Sequence, residues 1–161
     1  EKGINKLIIT FNILLKKHNN IKLLLIGLDE MGLKNQIINK NIIIHNYTSN
    51  IVQYLQASDI FCFPSEREGF GLSVLEASSC QLPIVCSDIY GLKETVVHEK
   101  TGYKFNSKKK SDFYKYLDYL IIYKKKRLNL GLQGRKLVME KFEKKTVIKE
   151  YLKFYKKILC Y

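Results

Sequence analysis

Short runs of apolar residues alternate along this chain with stretches in which apolar residues recur every three or four positions. That alternation restricts the fold more than any other feature. Ile4, Leu7, Ile8, Phe11, Leu14 and Leu15 have the spacing of an amphipathic helix that opens directly after Gly3. Lys22 to Ile26 predicts a short strand ending at Gly27, residues around Met31 to Ile38 a helix, and Ile42 to Ile44 a second strand. Asn50 to Ala57 predicts a helix with Ser49 as its cap. Ile60 to Phe63 predicts a third strand stopped by Pro64, Gly71 to Ser79 a helix, and Ile84 to Cys86, introduced by Pro83, a fourth strand. Strands this short and apolar, separated by helices, belong to a parallel sheet buried on both faces. The expected fold class is therefore α/β, a Rossmann-like doubly wound domain.

After Gly102 the pattern predicts helix only. Phe113, Tyr116, Leu117, Leu120 and Ile121 form one apolar stripe, and Val147, Ile148, Tyr151, Leu152, Tyr155 and Leu159 form another. The 161 residues suffice for one domain, without a repeat or a linker that would divide it. A doubly wound domain opens on a strand whose loop delivers the first helix, whereas this chain opens on the loop. The expectation is that a first strand, and the half of the protein before it, lie ahead of residue 1.

The net charge of +13 is unevenly spread. Residues 1–107 hold 11 Lys and Arg against 10 Asp and Glu, and residues 108–161 hold 17 against 5. Two readings stand side by side: an anionic partner for the C-terminal part, or compositional bias, since 25 of the 28 basic residues are Lys and Asn and Ile are abundant too. The four cysteines, Cys62, Cys80, Cys86 and Cys160, make no CxxC pair, and no cluster with the three histidines has metal-ligand spacing. Cys62 and Cys86 read as small hydrophobes in apolar runs, and a reducing cytoplasm is the simplest setting. No run approaches the roughly 18 apolar residues of a spanning helix.

The segment most informative about chemistry is Pro64 to Ala77, PSEREGFGLSVLEA. It follows a predicted strand and leads into a helix, the position at which open α/β sheets bind ligands. Gly69 and Gly71 let backbone amides approach a ligand, and the positive end of the following helix favours phosphate. Glu68 and Glu76 would repel phosphate, so they must face another part of the same ligand. Carboxylates suit vicinal diols, so a ligand with two sugars joined through phosphates would satisfy both glutamates and the helix end. A sugar nucleotide has that form.

These residues resemble the signature of the group 1 glycosyltransferases, glycosyltransferase family 4: Glu, seven residues, Glu, within P-S-x-x-E-G-F-G-L-x-x-x-E-A. The resemblance implies the C-terminal, donor-binding half of a GT-B enzyme, built from two facing Rossmann-like domains. By that likeness Glu68 would contact the transferred sugar, while the backbone of Gly69, Phe70, Gly71 and Leu72 would line sugar and diphosphate. Glu76 would hold the ribose. Lys2, before Gly3, matches the lysine of the family's R-x-x-x-x-K-G pattern and would neutralise the departing diphosphate; the arginine would precede Glu1. Lys2 and Glu68 are the catalytic candidates, and Gly27 and Ser65 complete the donor-binding set. Leu28 and Asp29 stand where the family's G-x-G loop has its second glycine. In Asp88 to Glu94 only Gly91 and Glu94 fit the G-G-x-x-E loop, with Tyr90 at the other glycine. Asp59 reads as a helix-end residue, and His18 and His98 as solvated histidines. His45 is nearer the expected nucleotide site and has no evident carboxylate partner.

The resemblance further implies retention of anomeric configuration and transfer of a hexose-type sugar from a UDP- or GDP-sugar without metal or other cofactor. The expected setting is bacterial surface polysaccharide assembly, such as capsule or lipopolysaccharide. An acceptor glycan or lipid-linked saccharide would be held by the other half of the enzyme. No Asp-x-Asp pair suggests a metal site. A basic nucleic-acid-binding α/β module is the competing reading. It draws on the C-terminal lysines and tyrosines, and against it stand the scarcity of arginine and the lack of a helix-turn-helix, RNA-recognition or zinc pattern. The C-terminal helices either pack on the core with solvated lysines or make a peripheral contact with anionic membrane.

Overall fold

The computed structural model describes residues 2–29 and 32–159. Helix and strand alternate from the start: α1 (Ile4–Lys17), β1 (Leu23–Ile26), α2 (Leu33–Gln36), β2 (Ile42–His45), α3 (Ile51–Gln56), β3 (Phe61–Phe63), α4 (Leu72–Ser79) and β4 (Ile84–Ser87). A single 3-10 turn at Tyr90–Leu92 and a fifth strand, β5 (Gly102–Phe105), precede three helices, α5 (Lys110–Ile122), α6 (Lys124–Lys141) and α7 (Lys144–Leu159). All strand pairing is parallel. β1 pairs with β2, Leu23 opposite Ile42, and β3, β4 and β5 form a second set, with Phe61 opposite Ile84 and Ile84 opposite Gly102.

Burial on both faces is clearest at β4, whose four residues are all buried. Successive strand side chains point to opposite faces, so Val85 joins one apolar cluster while Ile84 and Cys86 join the other. The first cluster gathers Leu7, Phe11 and Leu14 of α1, Tyr103 and Phe105 of β5, and Phe113, Leu117 and Leu120 of α5. The second gathers Leu55 of α3 and Val74 and Ala77 of α4. Desolvation pushes the Cys62 and Cys86 thiols up to about 12, consistent with their packing as hydrophobes. Cys160 lies outside the described residues.

Four sequence expectations are revised. The chain is not helix alone beyond Gly102, because β5 begins there. Its four residues follow a Thr-Gly turn signal and include Lys104, which hid the alternation of Tyr103 and Phe105. Gly102 is needed for the pairing, since a Cβ there would lie 2.3 Å from the Ile84 carbonyl oxygen. The helix expected around Met31 to Ile38 shortens to Leu33–Gln36, with Met31 outside the described residues. The Asp29 carboxylate accepts the Leu33 and Lys34 amides at 2.7 and 2.9 Å, and those bonds hold its carboxyl below the ordinary range. Ser49 does not cap α3: Asn50 occupies that position, and its amide donates to Thr48 Oγ1 at 3.1 Å.

His18 also differs from expectation, whereas His98 is exposed as expected. His18 is largely buried and donates from Nε2 to Asp118 Oδ1 at 2.7 Å, while Lys17 Nζ lies 2.7 Å from Asp118 Oδ2, tying α1 to α5. His98 Nδ1 accepts the Lys104 amide at 2.9 Å, and its ring meets Tyr103 and Tyr116 edge-on. Of the two C-terminal stripes, that of α5 packs on the core, with Phe113, Leu117 and Leu120 buried, whereas α7 has no buried residue.

Two predictions follow from this packing. Gly131 of α6 sits against the α4–β4 turn so closely that a Cβ would lie 1.8 Å from the Gln81 carbonyl oxygen. Helix propensity alone would favour Gly131→Ala by about 1 kcal/mol; the clash reverses the sign, and a net loss of about 1–3 kcal/mol in urea unfolding is expected. A more stable variant would contradict the packing. For Asp118, burial pushes the carboxyl up, but the hydrogen bonds and charges of Lys17 and His18 outweigh it and hold the group below its ordinary value. Its contribution is therefore complete above the usual carboxylate range and is lost as the pH falls through the lowered folded-state value. Urea midpoints of Asp118→Asn and the parent chain should differ at pH 7 and converge as the pH falls below the ordinary carboxylate range and through the lowered folded-state value; a pH-independent difference would show that the carboxylate charge is not involved.

Candidate functional site

The site is built where two glycines let backbone segments meet. Gly3, in the left-handed region at φ 69°, stands at the N-terminus of α1, and a Cβ there would lie 2.1 Å from the Pro64 carbonyl oxygen. The first turn of α1 is thus pressed onto the end of β3. Gly71, at φ 75°, stands in the same way at the N-terminus of α4, where a Cβ would meet Leu92 at 2.4 Å. Neither helix has a side-chain cap bond. Their first-turn amides and positive ends therefore remain as two sources of positive potential. Lys2, Gly27, Pro64, Ser73 and Glu76 line one common cleft of about 1140 Å³ beside these ends.

Lys2 and Glu68, 66 positions apart in sequence, form an ion pair with Nζ to Oε2 at 2.9 Å. The other carboxylate oxygen accepts the Gly69 amide at 3.1 Å. The Lys2 ammonium also lies 5.5 Å from the centre of the Phe63 ring. The Lys2 hydrogen bond is the main cause holding the Glu68 carboxyl below its ordinary value; burial opposes it, and the Gly69 amide and the lysine charge assist. Glu68 is therefore an ionised acceptor at neutral pH. An arriving anion can compete with it for Lys2, and the released carboxylate is then available to hydroxyl donors. A similar but looser pair, Lys6 to Glu66 at 3.6 Å, lies beside it.

The other expected residues fall into two groups. Gly27, Glu76 and Lys2 border the cleft, while Gly69, Phe70 and Leu72 are exposed along the bend that leads into α4. The Phe70 ring meets Phe142, after α6, edge-on at 5.7 Å between centroids. Ser65 is fully buried, and its hydroxyl donates to the Arg67 carbonyl at 2.8 Å, which shapes the bend from beneath. Asp59, at the end of the segment after α3, pairs with Arg127 at 3.4 Å, in keeping with a structural role.

One residue gains its reason only in three dimensions and another was missed. Gly91 fits the G-G-x-x-E loop in sequence, and a Cβ there would lie 1.9 Å from the Glu68 carbonyl oxygen, so the Tyr90–Leu92 turn buttresses the bend directly. Gly69, Phe70, Tyr90, Gly91, Lys93 and Glu94 line a small cavity of about 170 Å³ there. Tyr54 carried no sequence signal. Its hydroxyl and His45 Nε2 share a hydrogen bond of 2.8 Å, while His45 Nδ1–H donates to the Asn46 carbonyl at 2.8 Å. The two bonds fix the imidazole ring at the carboxyl end of β2. Among the described residues no cluster of three or more His, Cys, Asp or Glu could hold a metal.

Comparison with known proteins agrees with this geometry. The family described as "Glycosyl transferases group 1" matches residues 1–137. The chain is 30% identical over 166 residues to the capsular polysaccharide biosynthesis glycosyltransferase CapM of Staphylococcus aureus, covering 99% of this chain and 44% of that protein. The crystal structure of the C-terminal domain of LpcC, a group 1 family glycosyltransferase from Francisella tularensis, superposes with a TM-score of 0.76 at 27% identity. It covers 89% of this chain and 80% of that one. S. aureus TarM, solved with fondaparinux, alpha-GlcNAc-glycerol and UDP, has a TM-score of 0.85 at 24% identity, covering 94% of this chain and 32% of that one. The chain thus spans less than half the length of CapM, and its fold is that of the C-terminal half of such enzymes. With the bend from Pro64 to Ala77, the two glycine-ended helices and the matched residues 1–137 in agreement, this chain belongs to the group 1 glycosyltransferases.

Proposed function

We propose that this chain is the donor-binding half of a retaining, metal-independent glycosyltransferase. The enzyme moves a hexose-type sugar from a UDP- or GDP-sugar to an acceptor hydroxyl in bacterial surface polysaccharide synthesis. The acceptor, a glycan or lipid-linked saccharide, is held by the other half of the protein. The observation that carries this reading is the 2.9 Å Lys2–Glu68 pair, whose lysine lines the same cleft as Glu76. The donor's diphosphate takes Lys2 and the amides at the N-termini of α1 and α4. Glu68, released, accepts hydroxyls of the transferred sugar, and Glu76 accepts those of the ribose.

Charge develops on the diphosphate as the glycosidic bond breaks. The lysine and helix ends, already oriented, are worth more there than in the ground state. The buried Ser65 and the Gly91 contact keep the bend rigid, and the hydrogen-bonded His45–Tyr54 pair faces the nucleotide side. Kinship with CapM, a capsule glycosyltransferase, supports the pathway, and the UDP in the TarM crystal makes a uridine nucleotide the first to test.

Calorimetry with UDP, GDP and ADP, then with their hexose conjugates, tests the reading. One nucleotide should bind, and its sugar conjugate more tightly. Glu76→Gln should weaken the nucleotide about 10-fold or more, from the loss of a charge-assisted contact of roughly 1.5–3 kcal/mol. Glu68→Gln should weaken the sugar conjugate selectively while leaving the free nucleotide bound. Binding unaffected by both substitutions would remove the proposal. Incubated with donor and simple acceptors, this chain alone should form no product; transfer would contradict acceptor binding by the other half.

A second reading concerns α7. Val147, Ile148, Tyr151, Leu152, Phe154, Tyr155, Ile158 and Leu159 fall on one side of the helix, and Lys145, Lys149, Lys153, Lys156 and Lys157 on the other. Ile148, Tyr151, Leu152, Phe154, Tyr155, Ile158 and Leu159 are each about half exposed or more. Such a helix suits an anionic lipid surface, and among the described residues no helix is long and apolar enough to cross a membrane. The protein should sediment with vesicles rich in phosphatidylglycerol and not with neutral ones, and Lys153→Glu with Lys157→Glu should abolish this. Equal sedimentation with neutral vesicles, or a preference for random oligonucleotides, would favour a different partner for this basic surface.

A further inference from the structure

Two cavities flank the glycine bend, and no residue lines both. The large cleft takes in Lys2, Pro64 and Glu76, whereas Gly69, Phe70, Tyr90, Gly91, Lys93 and Glu94 line the second, of about 170 Å³. The donor proposed above fills the first and leaves the second open. Its volume lies below the roughly 300–1,000 Å³ of a pocket for a drug-sized ligand, which suits a single small ring.

This second cavity is held in register with Glu68. Leu92 is fully buried, a Cβ at Gly71 would strike it, and a Cβ at Gly91 would strike the Glu68 carbonyl oxygen, so the Tyr90–Leu92 turn is seated from two sides. Tyr90 projects from that seat with 91% of its surface exposed, and its ring meets no other ring among the described residues. It stands where the G-G-x-x-E loop has a glycine. A lone exposed ring needs no explanation. Here, however, the ring shares a cavity with the half-exposed Phe70 and with Lys93 and Glu94, whose side chains make no ion pair or hydrogen bond among the described residues.

That set of groups matches a sugar ring. The C–H face of a pyranose is apolar and weakly positive and lies well on the negative face of an aromatic ring. Its hydroxyls donate to a carboxylate and accept from an ammonium, so they answer Glu94 and Lys93 together. A phosphate would use the lysine and be repelled by the glutamate, and an apolar ligand would leave both charges without partners. We infer that this cavity is a subsite for one sugar ring of the acceptor, with Tyr90 as the platform on which the ring stacks. The inference rests on the donor proposal: the transferred sugar is held at Glu68, whose carboxylate meets Lys2 on the cleft side of the bend, so a ring on Tyr90 lies across that bend from it. The acceptor then touches this half of the enzyme as well as the other, and Tyr90 takes part in selecting it. A tyrosine suits that task because it offers a large rigid surface with few rotatable bonds to order.

Saturation-transfer NMR on the chain with UDP present tests this. The probes are the methyl glycosides of glucose, galactose and mannose and of their N-acetylamino counterparts. At least one should receive saturation on the C–H protons of one ring face. Tyr90→Ala should weaken that contact about 10-fold, and Tyr90→Phe, which keeps the ring, should retain it. Unchanged UDP affinity in both variants shows that the fold is intact, as expected for a side chain so exposed. If UDP binds and no probe is contacted, or the contact survives Tyr90→Ala, the inference falls and the donor proposal stands. Contact that is lost in Glu68→Gln and kept in Tyr90→Ala puts the probe in the place of the transferred sugar, which also overturns it. If UDP does not bind, the donor proposal falls and takes the acceptor subsite with it.

Discussion

The parallel pairing of β3 with β4 and of β4 with β5 is the constraint on which the rest depends. β4 is buried on both faces, and its neighbours can only approach it where side chains allow: Gly102 admits β5, and Gly131 brings α6 onto the turn that feeds β4. Once this unit is fixed, the end of β3 has a defined place. Gly3 fits against it, and Gly91 fits against the bend that follows it. The functional residues inherit their positions from these backbone contacts more than from their own side-chain packing. That explains how exposed groups such as Lys2 and Glu76 can be placed with precision on a small domain.

The electrostatics of the site combine two kinds of charge. The helix ends are fixed dipoles that cost nothing to reorient, while Lys2 and Glu68 are mobile charges that satisfy each other in the free chain. On the proposed function, a ligand carrying both phosphate and hydroxyls would replace that one ion pair with two complementary contacts, and a bare anion would recover only half of the exchange.

Much of this was legible in the sequence because the signals were local. The α1 spacing, the strand at Leu23–Ile26 and the bend carrying Glu68 and Glu76 all lie where the pattern put them. What was missed depended on tertiary contact. β5 is four residues long with a lysine inside, and it becomes a strand because β4 pairs with it. His18 looked like a solvated residue at a polar helix end until α5 brought Asp118 to it from 100 positions away. Lys2 and Glu68 were each assigned a ligand, and nothing in their spacing indicated that they hold each other. Tyr54 had no motif at all; only the turn after β2 brings His45 within its reach.

The edge-on contact of Phe70 with Phe142 bears on how this family's domains are delimited. The family match covers residues 1–137, while the similarity to CapM runs over 99% of the chain, and the ring steadying the glycine bend comes from the stretch that only the longer likeness includes, just past the last turn of α6. A fragment trimmed at residue 137 would keep every signature residue and lose the aromatic brace on the loop that carries them.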